Sequence, residues 1–320
     1  MHSAIKLTVS HAPFCHNGSR ISAKSYNIML ASMLAVVPGF YFYGLPAVGA
    51  AALAVGSAMV WELLFNLISR RPVSIGDGNA ALIGLLAAMM MPATVPWWVV
   101  VLATFIAVVI GKQIFGGIGA NPFNPVVLAM AMLTVSWPNH MDFNAALANY
   151  QFDFEPAVYP LLLVKSFGTS AVASISWTDL LMGRQVGGIG TTYSLGLIVA
   201  GIYLMIRGYI RWEIALSFLG GIIVMALIFN KINPESHAGP VFHLLTGYTL
   251  MGAFFLATED SSSPVNFIPM LIYGALGGAF TILIRNIGVH VDGVIFAVLV
   301  MNMINPLIDK IRPKAIGKVA

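Results

Sequence analysis

Three carboxylates lie within or beside strongly apolar stretches of the sequence. Glu62 falls inside the apolar stretch 47–68, Asp77 lies just before another, and Asp292 opens the last one. A charge inside the apolar part of a membrane costs free energy and usually serves a function there. Glu62, Asp77 and Asp292 are therefore candidate residues of an ion pathway. Two other roles stay open: an ion pair of Glu62 with Arg70, and the capping of a helix by Asp292.

The run GANPFNP, residues 119–125, places two Asn-Pro pairs inside an otherwise apolar stretch. Each proline ends or breaks a helix, which frees backbone carbonyls beside the amides of Asn121 and Asn124. Unwound backbone of this kind lines binding sites in membrane transport folds. We therefore predict that Asn121, Pro122 and Asn124 border a cofactor or a cation path. A simple loop leading into a helix is the alternative.

Metal and dinucleotide sites are not expected in this chain. The run HAPFCHNG groups His11, Cys15 and His16, but no fourth ligand follows at the spacing of a zinc finger. Cys15 is the only cysteine, which excludes an intrachain disulfide framework and a cysteine-only iron–sulfur site. The sequence has neither a GxGxxG motif after a strand nor a P-loop. The chain therefore offers no dinucleotide site of its own.

Composition identifies the class of protein that positions these residues. The chain has 320 residues, of which 58% are hydrophobic and 9% charged, and its mean hydropathy is +0.87. Soluble domains carry about 25% charged residues. We therefore predict an all-α, polytopic membrane protein in contact with membrane lipid. The net charge of +4 is explained by membrane topology rather than by nucleic-acid binding.

About ten apolar segments follow one another along the chain. They lie at 26–43, 47–68, 79–92, 96–115, 123–137, 191–206, 212–230, 241–257, 267–285 and 293–309. A membrane-spanning helix needs about 20 residues, and the segments 79–92 and 241–257 are shorter. These two segments predict broken half-helices, whose free backbone groups must be satisfied by neighbouring protein.

The first five segments resemble the last five. Gly84 and Gly252 occupy matching places in the short segments, and Lys112 and Arg285 end the long segments that follow. Because each block has an odd number of spans, the second block enters the membrane from the opposite face, as in an inverted repeat. Chance similarity of hydrophobic segments is the alternative. The predicted units are an amino-terminal segment 1–25, a first five-helix repeat 26–137, a loop 138–190, a second five-helix repeat 191–309 and a tail 310–320.

Basic residues orient the predicted spans. With the amino terminus in the cytoplasm, 12 of the 16 lysines and arginines lie inside: Lys6, Arg20, Lys24, Arg70, Arg71, Lys112, Arg207, Arg211, Lys310, Arg312, Lys314 and Lys318. The other four, Lys165, Arg184, Lys231 and Arg285, lie outside. Cytoplasmic loops of membrane proteins are enriched in such residues. We expect a multi-pass protein of the cytoplasmic (inner) membrane, with both termini cytoplasmic and the loop 138–190 extracytoplasmic.

Several long stretches, between about His11 and Arg312, carry a resemblance to a known family. The most specific are KQIFGGIGANPFNPVVLAMAML, LTGYTLMGAFFLATED and VDGVIFAVLVMNMINPLIDK. They resemble the D subunit of the Rnf complex and the related B subunit of the sodium-pumping NADH:quinone reductase. The Rnf protein is the closer match, because the chain is short and lacks a long amino-terminal extension.

The resemblance implies a membrane subunit of an electron-transfer complex that is not catalytic alone. Rnf complexes pass electrons between ferredoxin and NAD and couple this transfer to Na⁺ or H⁺ movement. The implied partners are other Rnf-type membrane and peripheral subunits that carry iron–sulfur clusters and flavins, and an extracytoplasmic cytochrome facing the outer loop is a further candidate. A solute channel or transporter with inverted repeats is the alternative function, and a purely structural scaffold is a third.

The resemblance also implies a flavin, but the attachment sequence is altered. D subunits carry FMN on a threonine within a pattern that runs roughly Asp-x-x-Ser-x-Ala-Thr-Pro-Leu. The corresponding run here is DFEPAVYPL, in which Tyr159 replaces the threonine, Pro156 the serine and Val158 the alanine. We expect that the covalent FMN–threonine link is lost and that any flavin, FMN or riboflavin, is bound non-covalently near the asparagines of GANPFNP. Thr169, in SFGT, is the alternative acceptor.

Overall fold

The computed structural model describes residues 20–144 and 159–311. Every regular element within these two ranges is a helix, so the all-α prediction is confirmed for them. The group His11, Cys15 and His16 lies outside the described residues, as do Pro156 and Val158 and the end of the tail.

The first part of the described chain forms five helices. They are α1 (Ile21–Tyr43), α2 (Leu45–Ile68), α3 (Asn79–Met90), α4 (Trp97–Phe105), which continues as a π-helix (Ile106–Gln113), and α5 (Pro125–Ser136). The turn between α1 and α2 is a single residue, Gly44, whose positive φ of 67° suits a residue without a Cβ atom. Proline at the first helical position starts α5 without loss of a hydrogen bond.

Two short helices precede the second group of long ones. They are α6 (Pro160–Phe167) and α7 (Trp177–Leu181). The second group consists of α8 (Ser194–Ile206), α9 (Trp212–Ile232), α10 (Pro240–Leu245), α11 (Thr249–Met251), which continues as a π-helix (Gly252–Leu256), α12 (Phe267–Ile287) and α13 (Val294–Ile308).

Four of the described helices are long and apolar enough to cross a membrane, namely α1, α2, α9 and α12. Five shorter apolar helices accompany them: α3, α4 with its π-helix, α5, α8 and α13. The two segments predicted to be broken half-helices differ: the first is a short but continuous helix, and the second is interrupted. The first is α3, with 12 residues, and the second is divided between α10, α11 and the π-helix that follows.

Contacts between loops define two faces of the helix bundle. The proximal face contains the loops 69–78, 114–124 and 257–266, and the distal face contains 137–144, 168–193, 233–239 and 288–293. On the proximal face Lys24 pairs with Asp260. On the distal face the Lys165 ammonium donates to the carbonyl oxygens of Gly288 and His290, at 2.6 Å each.

A stretch of irregular chain, residues 185–192, enters the bundle from the distal face and is buried. Its backbone groups are satisfied by helices around it, as buried backbone in a membrane requires. Ile189 N donates to the carbonyl of Met91 at 3.1 Å, and the Tyr43 hydroxyl donates to the carbonyl of Gly187 at 2.9 Å. The stretch thereby fills the space beyond the short helix α3.

Helices α9 and α12 pack backbone against backbone through glycines. A Cβ atom on Gly221 would lie 2.1 Å from the carbonyl oxygen of Ala275, and one on Gly278 would lie 2.0 Å from that of Phe218. Small residues at such crossings allow membrane helices to approach closely and gain dispersion energy.

Candidate functional site

Glu62 and Lys112 form a buried ion pair near the proximal face. Glu62 lies near the end of α2, and Lys112 lies in the π-helix that continues α4. The Lys112 ammonium is 2.9 Å from Oε2 and 3.1 Å from Oε1 of the Glu62 carboxylate. Ser74 donates a further hydrogen bond to Glu62. The alternative ion pair of Glu62 with Arg70 is therefore wrong, because Lys112 holds this carboxylate.

The π-helix determines where Lys112 points. Its backbone bonds span five residues, as in the 3.0 Å bond from Ile114 N to the carbonyl oxygen of Val109. The wider turn rotates the following side chains relative to an α-helical register, and such turns are frequent at functional sites. Lys112 is 2% exposed, so its charge depends on Glu62 rather than on water.

A cavity of about 240 Å³ opens beside the ion pair and is called here the Asp77 cavity. Glu62, Lys112 and Asp77 all line it. Asp77 accepts a hydrogen bond from Asn79 N at 2.8 Å. Burial raises the pKa of the Asp77 carboxyl above its usual value, and the hydrogen bond from Asn79 partly offsets this effect. Two of the three predicted ion-pathway residues thus share one cavity.

A second cavity, of about 160 Å³, lies between α1, α3, α5 and the π-helix 252–256, and is called here the Asn121 cavity. Its walls are mostly apolar, and Asn121, Asn124 and Lys112 are among its polar lining residues. Pro122 is exposed and does not line it. Lys112 and Ile118 line both the Asp77 cavity and the Asn121 cavity, so the two cavities are neighbours.

The amide of Asn124 fixes the start of α5. Its Oδ1 accepts from Val126 N at 2.9 Å and from Val127 N at 3.2 Å, as an N-cap residue does. Its Nδ2 donates to the carbonyl oxygen of Leu256 at 3.0 Å, and its backbone N donates to Oδ1 of Asn302 at 3.1 Å. Asn124 therefore ties α5 to the second π-helix and to α13.

A second buried ion pair lies at the distal face. The Arg285 guanidinium donates to Oδ1 of Asp292, with Nη2 at 3.0 Å. Asp292 also accepts from Val294 N at 3.1 Å and from Tyr248 N at 2.6 Å. Asp292 therefore accepts a backbone N–H bond at the start of α13, as the capping role requires, and Arg285 balances its charge. Its place in an ion pathway stays a prediction.

Arg285 also holds backbone at the break in the eighth apolar segment. Its Nη1 donates to the carbonyl oxygen of His243 at 3.0 Å, and its Nη2 donates to that of Thr246 at 3.3 Å. These carbonyls lie at the end of α10, where helical partners are missing. Arg285 therefore satisfies free backbone groups as well as a charge, whereas Lys112 bonds only to Glu62 among the described residues.

Tyr159 is buried at the start of α6, with 6% of its surface exposed. Its ring packs against Phe143, with ring centroids 5.0 Å apart. Burial raises the pKa of its phenol well above the usual range. The hydroxyl of Thr169 lies 2.9 Å from the carbonyl oxygens of both Pro234 and Glu235, to which it can donate.

Sequence reasoning included neither Lys112 nor Arg285 among the candidate site residues. A signal was nevertheless present, because each ends the fourth apolar segment of its block. The structure places these two residues at opposite faces, each paired with a buried carboxylate.

Comparison with known proteins identifies a matching family and several similar proteins. A model of the NQR2, RnfD, RnfE family matches residues 8–317. The chain is 32% identical over 314 residues to the D subunit of the Na⁺-translocating ferredoxin:NAD⁺ oxidoreductase complex of Acetobacterium woodii, covering 98% of this chain and 95% of that one.

Two further relatives show similar identity. The D subunit of the proton-translocating ferredoxin:NAD⁺ oxidoreductase complex of Clostridium ljungdahlii is 32% identical over 309 residues, which cover 95% of this chain and 93% of that one. The D subunit of the ion-translocating oxidoreductase complex of Pectobacterium carotovorum is 33% identical over 348 aligned positions, covering 97% of this chain and 98% of that one.

Proposed function

The chain belongs to the NQR2, RnfD, RnfE family, and from this premise we propose that it is the D-type membrane subunit of an Rnf-like electron-transfer complex. The complex couples redox chemistry between ferredoxin and NAD to the translocation of Na⁺ or H⁺. The observation that carries this proposal is similarity over nearly the whole length to subunits of ion-translocating ferredoxin:NAD⁺ oxidoreductase complexes. The proposal includes both ions, because relatives of equal identity are named for different ones.

The helices support an arrangement of ten spans in two inverted five-helix repeats, 26–137 and 191–309. In this arrangement α3 in the first repeat corresponds to the broken α10 and α11 in the second. The ends of α4 and α12, with Lys112 and Arg285, correspond as well and lie at opposite faces, as an inverted repeat requires. The loop 138–190 joins the repeats at the distal face.

The proximal face is proposed to be cytoplasmic, with the protein in the inner membrane. Eight of the described basic residues lie at this face: Arg20, Lys24, Arg70, Arg71, Lys112, Arg207, Arg211 and Lys310. Four lie at the distal face: Lys165, Arg184, Lys231 and Arg285. The segments 1–25 and 310–320 would then be cytoplasmic, in agreement with the positive-inside bias.

Glu62 and Asp77 are proposed to line the cytoplasmic part of the ion path. Both border the Asp77 cavity, and Lys112, the ion-pair partner of Glu62, lines this cavity and the Asn121 cavity. A cation can bind Glu62 only when Lys112 releases the carboxylate, because two positive charges would otherwise compete for it. Asp292 is the corresponding acidic residue at the distal face, where four hydrogen bonds hold its carboxylate.

A flavin, FMN or riboflavin, is proposed to bind non-covalently beside Asn121 and Asn124. The largely apolar wall surface of the Asn121 cavity, with the amides of Asn121 and Asn124 among its polar groups, suits an organic ring. Its volume of about 160 Å³ is below the roughly 300–1,000 Å³ of typical ligand pockets, so the ring would extend beyond it toward the exposed Pro122. A bound flavin would supply an acceptor and donor of one or two electrons.

Covalent FMN is proposed to be absent from this chain. Tyr159 is buried against Phe143, and the hydroxyl of Thr169 is placed to donate to backbone carbonyls. Denaturing gels read for flavin fluorescence, followed by mass spectrometry of peptides from 150–185, test this proposal. We expect unmodified peptides and release of flavin on denaturation, and an FMN mass on Tyr159 or Thr169 would contradict it.

Partners are required because the chain has too few redox ligands to work alone. The relatives are subunits of complexes, and we propose that this chain assembles with other membrane and peripheral subunits that carry iron–sulfur clusters and flavins. An extracytoplasmic cytochrome at the distal face is a further proposed partner.

The test uses membrane vesicles that contain the assembled complex. Reduced ferredoxin, as electron donor, and NAD⁺, as acceptor, should drive ion uptake into inverted vesicles, and Glu62→Gln should lower the ions moved per electron. Asp179→Asn, at a partly exposed carboxylate of the distal face, should not lower this ratio. Uptake that needs no redox substrate and persists with the isolated chain would favour the solute channel instead.

A further inference from the structure

The distal face contains a cavity of about 530 Å³ that the proposed electron and ion pathways do not use. It lies between the end of α6, the loop 233–239, the start of α10 and the end of α12, and is called here the His243 cavity. Most of its side-chain groups are donors: Lys165, His243, Arg285, Asn286, Ser166, Ser170, Ser236 and His237. Glu235 is the one acidic residue among those that line it.

Two of the polar side chains in this wall lack partners within the described part of the chain. His243 is 2% exposed, and neither of its ring nitrogens makes a hydrogen bond there. Nδ2 of Asn286 is likewise buried and unpaired. Buried polar groups are nearly always hydrogen-bonded, so each exception calls for a group that completes it.

The charges around the cavity indicate which kind of ligand would complete the hydrogen bonds of His243 and Asn286. Arg285 is balanced by Asp292, but the Lys165 ammonium bonds only to backbone carbonyls among the described residues, so no carboxylate there balances its charge. Glu235 has an exposed side chain and no ion-pair partner among the described residues, so it adds a negative charge at the rim. The lining therefore offers a buried imidazole and amide N–H₂, with an ammonium and hydroxyls on its exposed side, which together match a ligand that accepts many hydrogen bonds and carries negative charge.

We propose that the His243 cavity binds a phosphate group, with Lys165 supplying charge and His243 and Asn286 donating hydrogen bonds. A metal cation does not suit this set, because the only carboxylate among the described lining residues is at the rim. The volume accommodates a phosphate and part of the molecule that bears it. Free phosphate and the phosphate of a lipid headgroup offer the same chemistry to these donors.

Equilibrium dialysis of the purified complex with radiolabelled inorganic phosphate tests the proposal. We expect binding at about one phosphate per chain, and a loss of affinity of about tenfold or more in His243→Phe and in Lys165→Gln. Two matched substitutions at the distal face but outside this cavity serve as controls: His140→Phe, whose ring packs on Trp98, and Lys231→Gln, whose side chain is exposed. Both should bind phosphate as the wild type does.

A second arm distinguishes the source of the phosphate. The complex is placed in phosphatidylcholine nanodiscs with or without phosphatidic acid, and its melting temperature is measured. If phosphatidic acid raises the melting temperature of the wild type but not of Lys165→Gln, and free phosphate does not bind, the ligand is a lipid headgroup. Lys165 lies on the exposed side of α6, so this variant remains informative if His243→Phe fails to assemble. Equal behaviour of wild type and Lys165→Gln in both arms would overturn the proposal and leave a water-filled cavity.

Discussion

The pairing of Glu62 with Lys112 leads to a prediction about charge compensation. Lys112→Met removes the only cation that contacts Glu62 among the described residues. Breaking a buried ion pair from one side costs about 3–5 kcal/mol, because the remaining charge is left without compensation. We expect a markedly lower melting temperature of the purified complex.

The double substitution Lys112→Met with Glu62→Gln should recover most of this loss. Neither side chain is then charged, and the glutamine oxygen can still accept the hydrogen bond from Ser74. Arg71→Met, an exposed basic residue at the same face, is the control and should leave the melting temperature unchanged. A double variant as unstable as Lys112→Met would show that the charge of Glu62 is not the cause.

The ion pair of Arg285 with Asp292 at the distal face should respond differently to the same set of single and double substitutions. Arg285→Met also destabilises the complex, but Asp292→Asn should not rescue it. Arg285 donates to the carbonyls of His243 and Thr246 as well as to Asp292, and in the double variant these two carbonyls are left to share the single hydroxyl proton of Thr249. Melting temperatures of the two single variants and the double variant measure the coupling, and full rescue would contradict the role assigned to the backbone bonds.

Asp77 gives a prediction for pH dependence. Because burial raises the pKa of its carboxyl above the usual 3.8, the folded state binds this proton more tightly than the unfolded state does. The stabilisation by this proton is complete below pH 3.8 and is lost as pH rises through the higher folded-state pKa. Asp77→Asn keeps an oxygen for Asn79 N, so its melting temperature relative to wild type should rise as the pH increases above 3.8. If the melting temperatures of wild type and Asp77→Asn changed in parallel with pH, this prediction would be wrong.

The candidate site was partly predictable at the level of single residues. Glu62 and Asp292 stand out because a carboxylate in an apolar segment is costly. Their partners do not, because pairing depends on how separate helices pack: Lys112 lies 50 positions from Glu62. The sequence also indicates that the acceptor threonine is replaced, but it contains no sign that Tyr159 is buried. That burial depends on contact with Phe143 across the outer loop.

At the level of helices, the contact between α9 and α12 offers a sharp test. Gly221→Ala places a methyl group 2.1 Å from a backbone oxygen of α12, so the helices must separate. Gly220→Ala, one residue earlier, meets nothing within 4 Å and gains helix propensity. We expect poor assembly of the complex with Gly221→Ala and normal assembly with Gly220→Ala, measured by size-exclusion chromatography. Similar yields of both would show that this contact tolerates expansion.

Most spans were predictable, and the irregular parts between them were not. Apolar length determines where helices cross a membrane, so the long helices α1, α2, α9 and α12 match the predicted segments closely. The sequence of the buried stretch 185–192 predicts part of a polar loop, because it contains glycines, threonines and a glutamine. Its burial depends on partners such as the Tyr43 hydroxyl and the carbonyl of Met91, which only the folded chain brings near.

At the scale of the whole molecule, the two faces differ in charge. Eight described basic residues lie at the proximal face and four at the distal face, which also holds the His243 cavity. Placement of the proximal face in the cytoplasm, as proposed above, would put Glu62, Asp77 and Lys112 at the cytoplasmic end of the protein. The His243 cavity would then face outward, where lipid headgroups and external solutes can reach it.

This orientation can be tested with single cysteines. Cys15→Ala removes the only native cysteine, after which Ser69→Cys labels the proximal face and Ser174→Cys the distal face, both at exposed positions. In intact cells a membrane-impermeant maleimide should modify Ser174→Cys at once and Ser69→Cys only after the membrane is permeabilised, because the basic face is retained inside. The cysteine-free chain is the background control, and unchanged ion uptake in vesicles confirms that each variant is assembled. The reverse labelling pattern would place Glu62 and Asp77 at the outer end of the ion path, and their assignment to ion uptake from the cytoplasm would have to be abandoned.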